Sequence, residues 1–212
     1  SGRTLSGQTL DAFLASVQHD ENIFSVGLNC SFGAEDMRPY LQALSERSPY
    51  YISAHPNAGF PDEEGIYTET PQMMAEAIKS FADDMSVNIV GGCCGSTPEH
   101  IRAISHIVEA RKARSLPVTG KVDWLAGMES YSPAEGMFIN VGERCNVAGS
   151  RKFLRLIKEK QYDEALAIAR KQVRDGATML DINMDDGLID TEAEMTHFLN
   201  LMASDPEVAR VP

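Results

Sequence analysis

Two adjacent thiols, Cys93 and Cys94, stand in the run Ile-Val-Gly-Gly-Cys-Cys-Gly-Ser-Thr-Pro, and a third, Cys30, closes Gly-Leu-Asn-Cys. Short apolar runs precede both positions: Val87, Ile89 and Val90 before the pair, and Ile23, Phe24, Val26 and Leu28 before Cys30. Each thiol is therefore expected at the mouth of a strand. Three thiolates gathered at one end of a sheet supply three of the four ligands of a tetrahedral zinc shell. A fourth position left for water or substrate separates a catalytic site from a structural one. Two plainer readings stand beside this one. Cys93 and Cys94 could form a strained vicinal disulfide, and Cys30 could be an ordinary buried thiol.

Other chemistry-bearing residues are less pointed. His55, in Ala-His-Pro-Asn-Ala-Gly, also follows a strand-like run. It either lines a pocket beside the thiols or belongs to turn chemistry set by Pro56 and Gly59. His100, His106 and His197 lie on helical stretches, are expected to face solvent or to pack, and are assigned to no metal. Met73, Met74, Met195 and Met202 are read as core filling. Gly91, Gly92 and Gly95 leave room for backbone around adjacent ligands.

The elements that must hold these residues alternate. Leu10, Phe13, Leu14 and Val17 recur at helical spacing within 8–19, and the strand-like run 23–28 follows. A second amphipathic stretch, 36–47, leads to Tyr50-Tyr51-Ile52-Ser53-Ala54, and a Pro/Gly-rich loop covers 55–70. Pro71 suits the first turn of a helix running to about Met85, which precedes a strand over 87–91. Thr97 and Pro98 then open a helix continuing through Ile101, Ile104, Ile107 and Val108. Residues 115–136, punctuated by Pro117, Gly120, Gly127, Pro133 and Gly136, read as a linker. Beyond it come a strand at 137–141, helices near 149–158 and 162–175, a strand at 178–183 and a helix near 190–203. Strands alternating with helices imply parallel pairing. A closed barrel of this kind takes ~250 residues and eight strand–helix units. Roughly three units before the linker and two after it are too few to close one, so the chain is expected to be an open sheet or a piece of something longer.

Composition narrows the partners. The 212 residues are 43% hydrophobic and carry a net charge of −12, with 19 basic against 31 acidic side chains. That excess disfavours nucleic acid and anionic membrane. No apolar run approaches the ~20 residues needed to span a bilayer, and no basic-then-apolar export signal opens the chain. Four cysteines without secretory features point to a reducing cytoplasm, where thiols serve metal or catalysis.

At Cys30 and Gly-Gly-Cys-Cys-Gly (91–95) the chain resembles the C-terminal third of a homocysteine methyltransferase barrel. Asn-Val-Gly-Glu-Arg-Cys-Asn (140–146) and Leu-Asp-Ile-Asn-Met-Asp-Asp-Gly (180–187) resemble the opening strands of a pterin-binding barrel. In this order the two modules resemble the cobalamin-dependent methionine synthase family, over essentially the whole chain. The resemblance implies an α/β fold made of parts of two TIM-type (β/α)8 barrels, neither complete. Residues 1–114 would be the C-terminal part of the homocysteine- and zinc-binding barrel, 115–136 the linker, and 137–212 the N-terminal part of the pterin-binding barrel.

The implied activity moves a methyl group from 5-methyltetrahydrofolate, via cobalamin, to zinc-activated homocysteine, giving methionine. The implied zinc ligands are Cys30, Cys93 and Cys94, with the homocysteine sulfur as fourth ligand and no catalytic residue beyond that site. A free thiol has pKa ~8.5, and metal coordination deprotonates it. Asn29 and His55 are the implied homocysteine contacts. Glu143, Asn146, Asp181 and Asn183 are the implied pterin contacts, since Asp and Asn at strand ends can hydrogen-bond the pyrimidine edge of an uncharged ring. Asp185 and Asp186 stand between that site and a solvated acidic loop, and Asn146 equally suits a turn or helix cap. Cys145 is read as a packing residue. No Asp-x-His-x-x-Gly cobalamin-ligand motif occurs in the chain, so cobalamin is expected on a partner domain of the parent protein.

Two alternatives remain. A homocysteine methyltransferase using a sulfonium or betaine donor shares the Gly-Gly-Cys-Cys-Gly element but has no use for 137–187. A metal-binding or thiol-redox module without substrate is the non-catalytic alternative. On the leading reading the isolated chain does not make methionine, because neither barrel is closed to hold the reacting groups in line.

Overall fold

The computed structural model describes residues 2–117, 124–133 and 137–212. They form two compact units, one made of residues 3–17 with the described part of 122–212, the other of the described residues of 18–121. Helix α1 (Leu10–Val17) belongs to the former.

The 18–121 unit alternates strand and helix in chain order: β1 (Ser25–Asn29), α2 (Ala34–Arg47), β2 (Tyr51–His55), α3 (Pro71–Asp83), β3 (Ile89–Val90) and α4 (Pro98–Val108). The strands pair in parallel in the order β1-β2-β3, with Val26 opposite Ile52, Asn29 opposite His55 and Ala54 opposite Val90. Parallel neighbours need a long return path, which the helices provide. Met37, Leu41 and Leu44 on α2, and Met74, Ile78 and Phe81 on α3, recur three or four residues apart and are fully buried or nearly so. On β2 the period is two, and Ile52 and Ala54 are sealed from solvent. Thr70 caps α3 by accepting from the Met73 amide at 3.3 Å, with Pro71 at the first helical position.

Beyond α4, the buried Arg114 guanidinium donates to the carbonyls of Ser45, Ser48 and Tyr50 at 2.6 to 3.1 Å. These include carbonyls at the C-terminal end of α2 that have no partner within the helix. Arg114 thus ties α2 to the start of β2, and burial lowers its pKa.

The other unit adds to α1 the strands β4 (Leu125–Ala126), β5 (Ser130–Tyr131), β6 (Val141–Asn146) and β7 (Met179–Asn183), with helices α5 (Arg151–Lys158), α6 (Tyr162–Arg174) and α7 (Thr191–Ser204). β4 and β5 pair antiparallel, and α1 packs against both. β6 and β7 are parallel. Their core holds Cys145, Phe153, Leu156, Ile157, Ala165, Ala169, Met184 and Phe198. Phe153 and Phe198 meet edge to face, their centroids 5.3 Å apart. Ser150 caps α5 through the Phe153 amide at 3.2 Å, and Asp190 caps α7 through Ala193 at 3.2 Å.

Several expectations need correcting. The strand expected at 137–141 begins at Val141 and runs through Asn146, because β7 offers ladder partners only from Val141 onward. Phe138, outside it, is 87% exposed. The linker region contains the β4–β5 hairpin, while its residues 118–123 and 134–136 lie outside the described residues. Met73 is exposed, turned off the buried stripe that Met74 joins; Met195 is partly buried and Met202 buried. The strand at 87–91 shortens to Ile89–Val90. Among the described residues no helix is long and apolar enough to cross a membrane.

Candidate functional site

Cys30 stands one residue past β1, and Cys93 and Cys94 stand just past β3, so all three lie beyond the C-terminal ends of parallel strands. The Cys30 amide continues the ladder to the His55 carbonyl at 2.9 Å, after which Cys30 and Ser31 both turn left-handed, with φ of 60° and 64°. Two consecutive non-glycine residues in that region store strain, and they reverse the chain at once after the strand. The loop after β2 is laced to the pair. The Cys93 amide donates to Pro56 O at 2.8 Å, the Cys94 amide to Asn57 Oδ1 at 3.2 Å, and the Ala58 amide to Cys94 O at 2.9 Å.

The three sulfurs lie within 4.8 Å of one another. Cys30 Sγ is 3.7 Å from Cys94 Sγ, and Cys93 Sγ is 3.9 Å from Cys94 Sγ. All four cysteines are free, so Cys93 and Cys94 are not joined as a vicinal disulfide. A tetrahedral centre with bonds of ~2.3 Å to sulfur sets its sulfurs ~3.8 Å apart. The donor set therefore fits a soft, tetrahedral cation such as zinc. The Ser31 amide, then the Cys94 and Cys93 thiols, hold the Cys30 pKa below its ordinary value, while hydrogen bonding with Cys30 first of all raises that of Cys94.

Around the thiols, Asn29 Nδ2 reaches Cys93 Sγ at 4.0 Å. His55, its partner across the sheet, packs its ring on Gly91: a Cβ there would lie 2.6 Å from Nδ1. Two residues that carried no functional signal in the sequence also meet the pair. Asn57 is 5% exposed and accepts from the Cys94 amide through Oδ1. The Tyr67 ring lies against Gly95, and the neighbouring Cys94 thiol, with burial, raises the phenol pKa. Pro56-Asn57-Ala58-Gly59 reads locally as a turn, and Tyr67 sits in a loop without periodicity, so neither could be found from spacing. His100 is buried in a structural role, its Nδ1 accepting from the Thr97 amide at 3.2 Å and its Nε2 3.0 Å from Glu69 O. His106 is exposed, and His197 lies against Tyr162 with ring centroids 4.3 Å apart.

The second group of residues sits on β6 and β7. Leu180 and Ile182 pack toward the core, so by the two-residue period Asp181 and Asn183 face the other way. Asn146 stands opposite Asn183 in the register. Between Gly142, opposite Leu180, and Cys145, opposite Ile182, lie two residues of β6 against one of β7, a bulge that carries Glu143 and Arg144 past Asp181. Glu143 and Arg144 are exposed and paired at 3.2 Å.

Asn146 Oδ1 accepts from the Ala148 and Gly149 amides, both at 2.9 Å, and Asn183 Oδ1 from the Asp185 amide at 2.7 Å. What this face offers a ligand is therefore the two carboxamide Nδ2 groups and the Asp181 carboxylate. Asp186 accepts from Leu188 at 2.9 Å and pairs with Lys158 at 3.4 Å, holding its own loop, and Asp185 is exposed. Cys145 is fully buried, and burial pushes its thiol up to about 11.

Residues 1–108 match the homocysteine S-methyltransferase family, and residues 142–212 match the pterin binding enzyme family.

Proposed function

Because this chain belongs to the homocysteine S-methyltransferase family, we propose that it is part of a methionine synthase, with 1–114 acting on homocysteine, 115–136 as linker and 137–212 acting on 5-methyltetrahydrofolate. Both matched domains are (β/α)8-barrel types within a methyl-transferring family. The observation that carries the proposal is the convergence of three thiols within 4.8 Å in a chain that continues into a pterin-binding domain. A homocysteine methyltransferase with a sulfonium or betaine donor would have no use for that second domain.

Cys30, Cys93 and Cys94 would hold the zinc. Bound there, zinc supplies the Lewis acidity that keeps a substrate thiol ionised near neutral pH. The protein's own groups do the positioning. Asn29 and His55 flank the pair on the side where the strands end, and would orient the amino-acid substrate. Asn57 at the Cys94 amide and Tyr67 against Gly95 fix the Cys93–Cys94 loop and so hold its sulfurs in place. On β6 and β7 the Asn146 and Asn183 amides and the Asp181 carboxylate would bind the pyrimidine edge of the pterin, and Glu143 would border it. Cobalamin would carry the methyl group between the two sites on a domain outside this chain. The excess of acidic residues keeps polyanions away, and the reducing cytoplasm that bare thiols require is the proposed location.

The test separates the two half-reactions. In the complete enzyme, Cys93→Ala should remove bound zinc and methyl transfer to homocysteine while leaving demethylation of 5-methyltetrahydrofolate by cobalamin largely intact. Equal loss of both reactions in a folded variant would overturn the assignment.

A further inference from the structure

β6 carries its ligand-facing residues on the correct side only because of the bulge between Gly142 and Cys145. Along an unbroken strand Gly142, Arg144 and Asn146 would share one face, and Cys145 would take the other. The extra residue reverses that order. Cys145 joins Gly142, Leu180 and Ile182 on the core side, and Asn146 joins Asp181 and Asn183 on the opposite side. A register slip of one residue exchanges the faces of everything that follows it. A strand without the bulge would thus bury Asn146 and expose Cys145.

One side chain spans the irregularity. Gln172, near the end of α6, accepts from the Arg144 amide through Oε1 at 2.7 Å and donates from Nε2 to Cys145 Sγ at 3.3 Å. The first bond satisfies the amide that the bulge leaves without a ladder partner. The second holds Cys145 inward. Access for the carboxamide depends on Gly142, where a Cβ would lie 2.9 Å from Gln172 Oε1 and 2.8 Å from Leu180 Cδ2. The Gln172 backbone carbonyl also accepts from Ala177 at 2.9 Å, fixing the turn that leads into β7. Both strands are thus indexed to one residue.

We propose that Gln172 is the positioning residue of the pterin-binding face, holding the β6 bulge so that Asn146 stands beside Asn183 and Asp181. The proposal rests on the reading of that face as a pterin site.

Three variants test it: Gln172→Leu, which loses both bonds; Gln172→Glu, which keeps the acceptor for Arg144; and Asp181→Asn as a ligand-face control. In this chain, peptide-resolved alkylation of Cys145 and hydrogen exchange at the Arg144 amide report the register, with exchange at Ile157 reporting the core. Gln172→Leu should raise both the Cys145 labelling rate and Arg144 exchange at least tenfold with Ile157 still protected, and Gln172→Glu should restore Arg144 protection. In the complete enzyme, Gln172→Leu should weaken 5-methyltetrahydrofolate binding at least tenfold, with zinc content unchanged and partial rescue by Gln172→Glu.

Cys145 and Arg144 remaining protected in Gln172→Leu would overturn the proposal. So would unchanged folate affinity in that variant alongside a loss in Asp181→Asn, an outcome that spares the pterin reading. Unchanged affinity in both would instead overturn the pterin reading. Should Gln172→Leu fail to fold, Gln172→Glu decides: an Arg144 amide unprotected in a folded Gln172→Glu chain defeats the proposal.

Discussion

Replacing Gly95 by alanine should weaken metal binding far more than it weakens the fold. Gly95 follows Cys94 directly and has φ of +79°, and an added Cβ would lie 2.4 Å from both Cβ and Cγ of Tyr67. The left-handed conformation costs an L-residue about 1–2 kcal/mol. Forcing a methyl into filled space adds about 1–3 kcal/mol. Metal-free, the segment can relieve this total of about 2–5 kcal/mol by shifting Cys94 away from Tyr67. With metal bound, Cys94 is held by its sulfur and the strain persists. At about 1.4 kcal/mol per decade, zinc affinity should fall between about 30-fold and a few thousandfold.

Gly65 supplies the control: its φ is +80°, and nothing lies within 4 Å of an added Cβ. Gly65→Ala should cost only the left-handed strain, as about 1–2 kcal/mol of stability, and leave zinc affinity alone. The assay is chelator competition for zinc under reducing conditions at fixed pH, with thermal melts of each variant. Zinc affinity in Gly95→Ala within threefold of the parent, with a melt matching Gly65→Ala, would refute the reasoning.

Cys93→Ala and Cys94→Ala should each reduce zinc content to background by elemental analysis, while a Cys145→Ala chain retains it. In the complete enzyme Asp181→Asn should weaken folate binding about ten- to hundredfold, the worth of a hydrogen bond to a charged group at about 1.5–3 kcal/mol, and Asn183→Ala about two- to tenfold, the worth of a neutral one at about 0.5–1.5 kcal/mol, as read by titration calorimetry, with homocysteine activation unaffected. Cys145 should make stability fall at alkaline pH. Burial holds its native thiol protonated up to about 11, well above the ordinary thiol value, so the unfolded chain ionises first. Its contribution is whole below pH 9, shrinks as pH rises through the native value, and amounts to about 2–3 kcal/mol at full loss. Urea melts should show that slope in the parent and a flatter one in Cys145→Ala.

Much of the architecture was legible because its signals are local. Thr70-Pro71 and Thr97-Pro98 mark helix starts by the chemistry of the first turn, and helices begin at Pro71 and Pro98. Met74, Ile78 and Phe81 repeat at the spacing that puts them on one face of a helix, and that face is buried. Phe24 and Phe138 show where apolar character misleads. Both sit in apolar runs that read as strands, yet neither has a partner in the strand register and both side chains are exposed, Phe24 lending β2 only its carbonyl, because pairing with a neighbour and not hydrophobicity sets where a strand begins.

Residue types and short spacings suffice to put three thiols at strand mouths, to alternate strands with helices, and to set acidic and amide side chains at the ends of later strands. They do so because caps, periodicity and strand-end glycines act over a few residues. Only the tertiary structure decides that Asn57 and Tyr67 meet the thiols and that Gln172 reaches across to Arg144 and Cys145. It alone decides that one extra residue in β6 turns Asn146 to the ligand side. Such pairings join positions far apart in the chain, where the cost of closing the intervening loop hardly depends on its residues. What selects them is the packing of the assembled elements.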